Sequence, residues 1–304
     1  MLISIIIPTF AHKEYVLECI NSVLQQDYKQ FEVIVVDDGS SDGTSAILQP
    51  LISSGAIRYV RQVNQGMSAA RNNGAAIACG DALVFLDDDD KLPSNRLSWQ
   101  ASFLKENHGC IAVFGQAVLF HSSQTIPIPF KHQKLTEEVL LSGNKLMSPG
   151  QGLIRTQAFK AVKGFDTTTW GADDFDLWFK LVKLGTICCL NQPALFYRLH
   201  TGNASKDSSK MLRNTKKVFY RFLKTCPPSK RKKAAYAINV SLARSAAHHW
   251  FVVFKWQWSK PIYSSGQLST IIGFWLRHAR LENYRTAYEV LRSGTREVKK
   301  EFRC

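Results

Sequence analysis

The chain has no Cys-x-x-Cys pair and no even set of cysteines: its seven, Cys19, Cys79, Cys110, Cys188, Cys189, Cys226 and Cys304, lie scattered along it. An odd, dispersed count argues against a closed disulfide framework and fits reduced thiols in the cytoplasm. No stretch reaches the roughly 18 consecutive apolar residues needed to span a bilayer, so any membrane contact is expected to be peripheral, on the inner face. The apolar start, Met1-Leu2-Ile3-Ser4-Ile5-Ile6-Ile7-Pro8, lacks the basic flank and the length of a signal peptide and reads as a first strand. No Gly-x-Gly-x-x-Gly follows it, which removes the main support for a nicotinamide dinucleotide. There is no internal repeat and no low-complexity tract.

What is present is enough for a large core. The 304 residues are 45% hydrophobic and 11% aromatic, a composition that suits one large domain or two smaller ones. The net charge of +15 is unevenly placed. Residues 1–204 carry 17 Lys and Arg against 19 Asp and Glu, whereas 205–304 carry 22 against 5. A near-neutral body, 1–205, is therefore expected to precede a basic, mainly helical region, 206–304.

The body alternates strand and helix. Ile3 to Ile7 is a β-branched run of the kind buried on both faces in a parallel sheet, and Val16, Leu17, Ile20, Val23 and Leu24 follow at helical spacing. Phe31 to Val36, Ile57 to Val60 and Ala82 to Leu86 supply further strands. Between them come a helix through Leu51 and a small-residue helix reaching about Cys79. Four alternations in 90 residues predict a Rossmann-like α/β fold with a mostly parallel sheet flanked by helices. Cys110 to Phe120 reads as a long strand and Gly150 to Arg155 as a strand at a sheet edge. Ile187 to Leu190 and Ala194 to Leu199 read as two last strands. The nucleotide-binding half is expected over 1–120 and an acceptor half over 121–205.

The chemistry concentrates where Leu83-Val84-Phe85-Leu86 runs into Asp87-Asp88-Asp89-Asp90. A buried strand ending in carboxylates delivers them to the sheet rim, where open α/β folds bind ligands. Mg²⁺ is commonly held by one or two carboxylates together with substrate phosphates, so a metal-bound phosphate compound is expected there. Asp90 reads as a solvated carboxylate. A helix face of Leu177, Trp178, Leu181 and Val182 puts Asp173 and Asp174 in a first turn, where the helix dipole favours an ionised carboxylate. Arg71 lies one turn into the helix after a glycine turn, where anions collect.

Taken in order, Ser4-Ile-Ile-Ile-Pro-Thr9, Val35-Val-Asp-Asp-Gly-Ser40, Asn64-Gln-Gly, Ala70-Arg-Asn72, Phe85-Leu-Asp-Asp-Asp-Asp90, Gly171-Ala-Asp-Asp-Phe-Asp-Leu-Trp178 and Tyr197-Arg-Leu-His200 resemble family 2 glycosyltransferases of the GT-A fold. The resemblance covers about residues 1–205. It implies an inverting enzyme that moves a sugar from a nucleotide-sugar donor, UDP-linked by default, to a hydroxyl of a glycan or lipid-linked glycan. Cell-surface polysaccharide or lipopolysaccharide synthesis is the implied setting. It further implies that Pro8, Thr9, Asp38 and Asn64 hold the base and ribose and that Arg71 lies near the diphosphate. Asp87 and Asp89, with Asp88 beside them, form the Asp-x-Asp motif for Mn²⁺ or Mg²⁺. Asp89 is the first choice for the metal, Asp87 for metal or ribose, and His200 a further candidate ligand. Asp174 is the implied catalytic base, beside Asp173, which stands where the family often has glutamate. No Gln-x-x-Arg-Trp motif is present, so single addition is expected rather than polymerisation.

Two other readings fit less well. A receiver-type signalling domain would place its acidic pair after the first strand and end near 120 residues. A sugar-nucleotide pyrophosphorylase would need a glycine-rich basic loop after the first strand, and Thr9-Phe10-Ala11-His12-Lys13 is not one. For the basic region two readings stay open: helices packing on the body through Trp250, Phe254, Trp256 and Trp258, or contact with an anionic membrane surface. Nucleic acid is not expected, because no reading module is recognisable.

Overall fold

The computed structural model describes residues 1–121, 124–200 and 208–242. In order, the elements are β1 (Ile3–Thr9), α1 (Lys13–Leu24), β2 (Phe31–Asp37), α2 (Thr44–Ser53), β3 (Arg58–Arg61), α3 (Met67–Ile77), β4 (Ala82–Phe85), α4 (Arg96–Glu106), β5 (Cys110–His121), β6 (Gln124–Ile128), β7 (Lys134–Leu135), α5 (Glu137–Leu141), β8 (Gly152–Arg155), α6 (Thr156–Ala161), α7 (Asp173–Leu181), β9 (Thr186–Arg198) and α8 (Ser208–Thr225). The chain divides into two compact units. One comprises Met1–Leu140 and Asn144–Val218, the other Leu141–Gly143 and Phe219–Cys304. Trp250, Phe254, Trp256 and Trp258 lie outside the described residues.

The first unit is built on a nine-stranded sheet ordered β3-β2-β1-β4-β8-β5-β9-β7, with β6 paired to β5. β1 is central and wholly buried, as its β-branched run predicts, and pairs in parallel with β2 and β4. On one face α1 packs Val16, Cys19, Ile20 and Val23 into the core, each large side chain contributing about 1.5–3 kcal/mol of burial. On the other, α3 lies so close to the sheet that a Cβ on Gly74 would meet Ile6 Cγ2 at 2.5 Å, which is why that helix is built of small residues.

Two expectations need correction. The segment ending at Arg155 is not at an edge: Pro149–Gln151 forms a 3-10 turn and β8 runs antiparallel between β4 and β5, inside the sheet. Gly152 makes this possible, because a Cβ there would stand 2.4 Å from the Phe114 ring. The two last strands are one. β9, 13 residues long, runs beside β5, and the gap read between Leu190 and Ala194 is a register irregularity around Gly115 and Gln116. Within the sheet, Gln151 donates to Gly115 O at 2.9 Å and accepts from Met147 N–H at 2.7 Å, which fixes the turn that presents Ser148.

In the second unit, Phe219, Phe222, Leu223, Cys226, Ala234, Ile238 and Leu242 are buried, from the end of α8 and from a helical stretch over 228–242.

Candidate active site

The parallel register of β1, β2 and β4 brings Thr9, Asp37 and the segment after Phe85 to one rim. There a cleft of about 590 Å³ opens, lined among others by Pro8, Thr9, Asp38, Asn64, Arg71, Asp87 to Asp89, Asp173 and Asp174. Residues read from distant parts of the chain thus share one cleft. His200 is not in that lining but reaches it through Asp89.

Each carboxylate is held differently. Asp38 accepts from Gln62 Nε2 at 2.7 Å and from the backbone N–H groups of Gln65 and Gly66 at 2.8 Å, so it latches the loop that carries Asn64. Asp87 accepts from Arg71 at 2.5 Å and from Ser148 Oγ at 3.1 Å. Asp88 pairs through one oxygen with His12 Nδ1 at 2.9 Å, and its other oxygen is buried with no hydrogen-bond partner. That hydrogen bond, with the charges of Asp88 and Asp89, lifts His12 to about 9 against its burial. Asp89 lies 2.8 Å from His200 Nε2; burial and the charge of Asp87 raise its carboxyl above the ordinary range.

Asp90 is not the solvated carboxylate that its place in a charge run suggests. It is 1% exposed and accepts from Arg198 N–H at 2.9 Å, and burial beside Asp89 raises its carboxyl well above the usual range. Arg198 also donates from Nε to Asp89 O at 2.8 Å and pairs with Glu18, so β9 clamps the acidic run from behind.

Arg71, read as a cation for the diphosphate, is 3% exposed, and both its terminal nitrogens are engaged, one with Asp87 and the other with Asp173 at 3.0 Å. Burial works against its charge, but the two aspartates outweigh it and raise its pKa further. Asp173 accepts from Ser68 Oγ as well, at 2.8 Å. It is a strut for Arg71, whereas Asp174 turns a half-buried carboxylate to the cleft and accepts from Asn144 Nδ2 at 3.0 Å. The helix start does not keep Asp174 fully ionised at neutral pH, as its position predicts. Burial and the neighbouring charge of Asp173 lift it to about 7. Asp176, one turn in, pairs instead with Lys180 at 2.6 Å.

The sequence reading missed several contributors. Ser68 stands three residues before Arg71, on the same helix face, and that spacing is a usable signal. Ser148 and Gln151 form a capping box, a pattern legible as Ser-x-x-Gln. His12, Asn144, Trp170 and Met211 also line the cleft, and no local pattern announces them; Tyr197, from the Tyr-Arg-Leu-His segment, lines it too.

The donors suit a hard divalent ion. Asp89 and His200 offer a carboxylate and an imidazole 2.8 Å apart, and the orphaned buried oxygen of Asp88 is a second acceptor without a partner. Among the described residues no three ligating side chains form a ready-made cage.

The family model for glycosyl transferase family 2 matches residues 4–162, just over half of the chain. An uncharacterized glycosyltransferase of Haemophilus influenzae is 25% identical over 84% of the chain and 90% of that protein. The GalNAc(5)-diNAcBac-PP-undecaprenol beta-1,3-glucosyltransferase of Campylobacter jejuni is 39% identical over 38% of each chain. Among solved structures, S. aureus TarS 1–349 in complex with UDP-GlcNAc aligns at a TM-score of 0.69 and 20% identity, over 97% of this chain and 92% of that one. The mannosyltransferase PcManGT from Pyrobaculum calidifontis, in complex with GDP-Man and Mn²⁺, aligns at 0.60 and 17% identity, over 99% and 87%. With its motifs gathered in one cleft on a GT-A sheet, the chain belongs to glycosyl transferase family 2 and is a glycosyltransferase.

Proposed function

We propose that the chain is a metal-dependent, inverting enzyme that moves one sugar from a nucleotide-sugar donor, UDP-linked by default, to a hydroxyl of a glycan or lipid-linked glycan in cell-surface polysaccharide or lipopolysaccharide synthesis. Residues 1–205 form the catalytic domain in this reading and 206–304 a basic extension. The observation that carries it is the position of Asp174, raised to about 7, in the same cleft as the Asp87 to Asp89 wall. Ligand complexes named for the structural neighbours, UDP-GlcNAc and GDP-Man with Mn²⁺, support the donor class. The lipid-linked acceptor named for the Campylobacter relative supports the acceptor class.

In this reading the acceptor hydroxyl attacks the anomeric carbon from the side of Asp174. Its proton passes to that carboxylate as the bond to the diphosphate breaks on the opposite face. A base so placed contributes about 10²–10⁴-fold, and a pKa near working pH suits it. Asp89 and His200, with Asp88 beside them, would hold Mn²⁺ or Mg²⁺. The ion would supply Lewis-acid stabilisation of the departing diphosphate. Arg71 keeps Asp87 and Asp173 in place, and Asp38 holds the loop of Asn64 against the nucleotide end.

The test is a panel of sugar nucleotides screened by thermal shift with and without Mn²⁺, followed by transfer assays on Asp174→Asn and Asp89→Ala. Expected are loss of transfer in both variants, Mn²⁺-dependent donor binding kept in the first and lost in the second. Near-normal turnover in Asp174→Asn overturns the base assignment.

A further inference from the structure

The cleft is lined by six aspartates, yet it also carries a group of large apolar side chains that the chemistry above does not use. Leu146 and Met147 follow Asn144, whose amide donates to Asp174 at 3.0 Å, and Trp170 stands three residues before Asp173. Met211 completes the group, since a Cβ on Gly171 would lie 3.0 Å from its Cγ. All four come from the part of the chain that surrounds Asp174, whereas most residues assigned above to nucleotide and metal come from the first 90.

Trp170 is the fixed member. The Thr169 carbonyl accepts from Ala172 N–H at 2.8 Å and Gly171 has a φ of 74°, the pattern of a type II turn with the tryptophan at its tip. Asn214 Nδ2 donates to the Trp170 carbonyl at 2.7 Å, and Lys210 Nζ, 4.0 Å from the ring centre, covers one face of the indole. Lys210 is not part of the cleft lining, so it is the rest of the half-buried ring that meets the cleft. Met147, 40% exposed, adds an adaptable apolar contact beside it.

An indole beside a carboxylate that takes the proton of a hydroxyl suits one shape of substrate. A pyranose carries its hydroxyls around its edge and C–H groups on its faces, so a face can lie on the negative face of an aromatic ring while an edge hydroxyl reaches the carboxylate. An open-chain polyol has no such face and loses more rotational freedom when it is ordered.

We infer that Trp170, with Met147 and Met211 beside it, is the platform that holds the acceptor, and that the acceptor offers a pyranose ring rather than an open-chain polyol. The inference rests on the proposed transfer with Asp174 as base and deepens it by naming the class of acceptor and the side chains that select it.

The test measures binding to the full chain by saturation-transfer NMR, with UDP and Mg²⁺ present. The probes are the methyl α- and β-pyranosides of glucose, galactose, mannose and N-acetylglucosamine, with ribitol as the acyclic probe; a methyl aglycone adds no second ring that could stack. At least one pyranoside should bind the wild type, its ring C–H protons saturated most, and ribitol should bind about tenfold more weakly or less. Trp170→Ala should weaken the pyranoside about tenfold, and Trp170→Phe, which keeps an aromatic face, should restore most of the binding. A second measurement separates acceptor from donor: sugar nucleotides and their free nucleoside diphosphates are compared by thermal shift with Mn²⁺. The added shift from the donor's sugar should be the same in Trp170→Ala as in the wild type, which also reports that the variant is folded. Loss of that added shift puts the indole on the donor's sugar and overturns the inference. So does equal binding of ribitol and pyranosides, absence of pyranoside binding, or unchanged binding in Trp170→Ala. A wild type that binds no sugar nucleotide refutes the proposed reaction itself, so the two failures are told apart.

Discussion

Replacing Asn144 by alanine should move the pH at which transfer switches on. Asp174 stands at about 7 because burial and the charge of Asp173 raise it, against the Asn144 amide, the Phe175 N–H and Arg71, which lower it. A carboxylate must be ionised to take the proton of the acceptor hydroxyl. Below that pH the rate should therefore fall tenfold per unit, to about a hundredth of its plateau near pH 5. Asn144 donates to the carboxylate at 3.0 Å. A hydrogen bond to a charged acceptor is worth about 1.5 kcal/mol at the lower end, which suits a half-buried group, and that equals about one pH unit. The rise in Asn144→Ala should thus lie about one unit higher, with a plateau within a few-fold of the wild type. The assay is release of nucleoside diphosphate between about pH 5 and about pH 9 at constant ionic strength, with kcat/KM fitted to one ionisation. A wild-type rise centred in the ordinary carboxylate range, or an unmoved rise in Asn144→Ala, would refute the reasoning.

The same carboxyl affects stability. Its folded pKa is raised, so the folded state binds the proton more tightly than the unfolded chain, and stability declines as pH rises from the ordinary carboxylate range through about 7. Asp174→Asn should therefore gain melting temperature over the wild type at pH 8 and much less at pH 5, by calorimetry. Arg71→Lys offers one ammonium where Asp87 and Asp173 engage two guanidinium nitrogens. It should cost on the order of 3 kcal/mol in urea unfolding, because a buried carboxylate loses its partner. Gly152→Ala would put a Cβ 2.4 Å from Phe114, whose ring is already set edge-on to Trp178 at 4.9 Å. Overpacking of about 1–3 kcal/mol should appear as a lower Tm.

Much of the first 90 residues was legible because the buried strands β1, β2 and β4 write themselves as nearly unbroken apolar runs, and β2 and β4 end where carboxylates begin. Asp87, Asp89 and Asp174 were legible as members of one cleft through motif order. Their partners were not. Whether Arg71 meets phosphate or carboxylate depends on Asp173, a hundred residues away, coming within 3.0 Å of it, and no local pattern encodes that approach. Asp90 was misread for a related reason: charge runs usually face water, and only the backbone N–H of Arg198 makes its burial tolerable. The edge reading of Gly150 to Arg155 failed because glycine marks close approach as readily as irregularity, and here the group approaching Gly152 is a phenylalanine ring.

The clamp that Arg198 places on the acidic run has a consequence for how the protein is made. Strands β1 to β4 are all present once Phe85 has been synthesised, and their parallel pairing can begin then. Asp90 receives its partner from a residue 108 positions later, and Asp89 shares that dependence through its own carbonyl and through His200. During translation the scaffold can therefore precede the second half of the acidic run, and Asp89 and Asp90 stay hydrated until β9 is laid beside β5. A nascent chain halted before Thr186 would have its early sheet strands and the partners of Asp87 and Asp88, Arg71, Ser148 and His12, but not those of Asp89 and Asp90, so the acidic run is completed by one of the last strands rather than with the early fold.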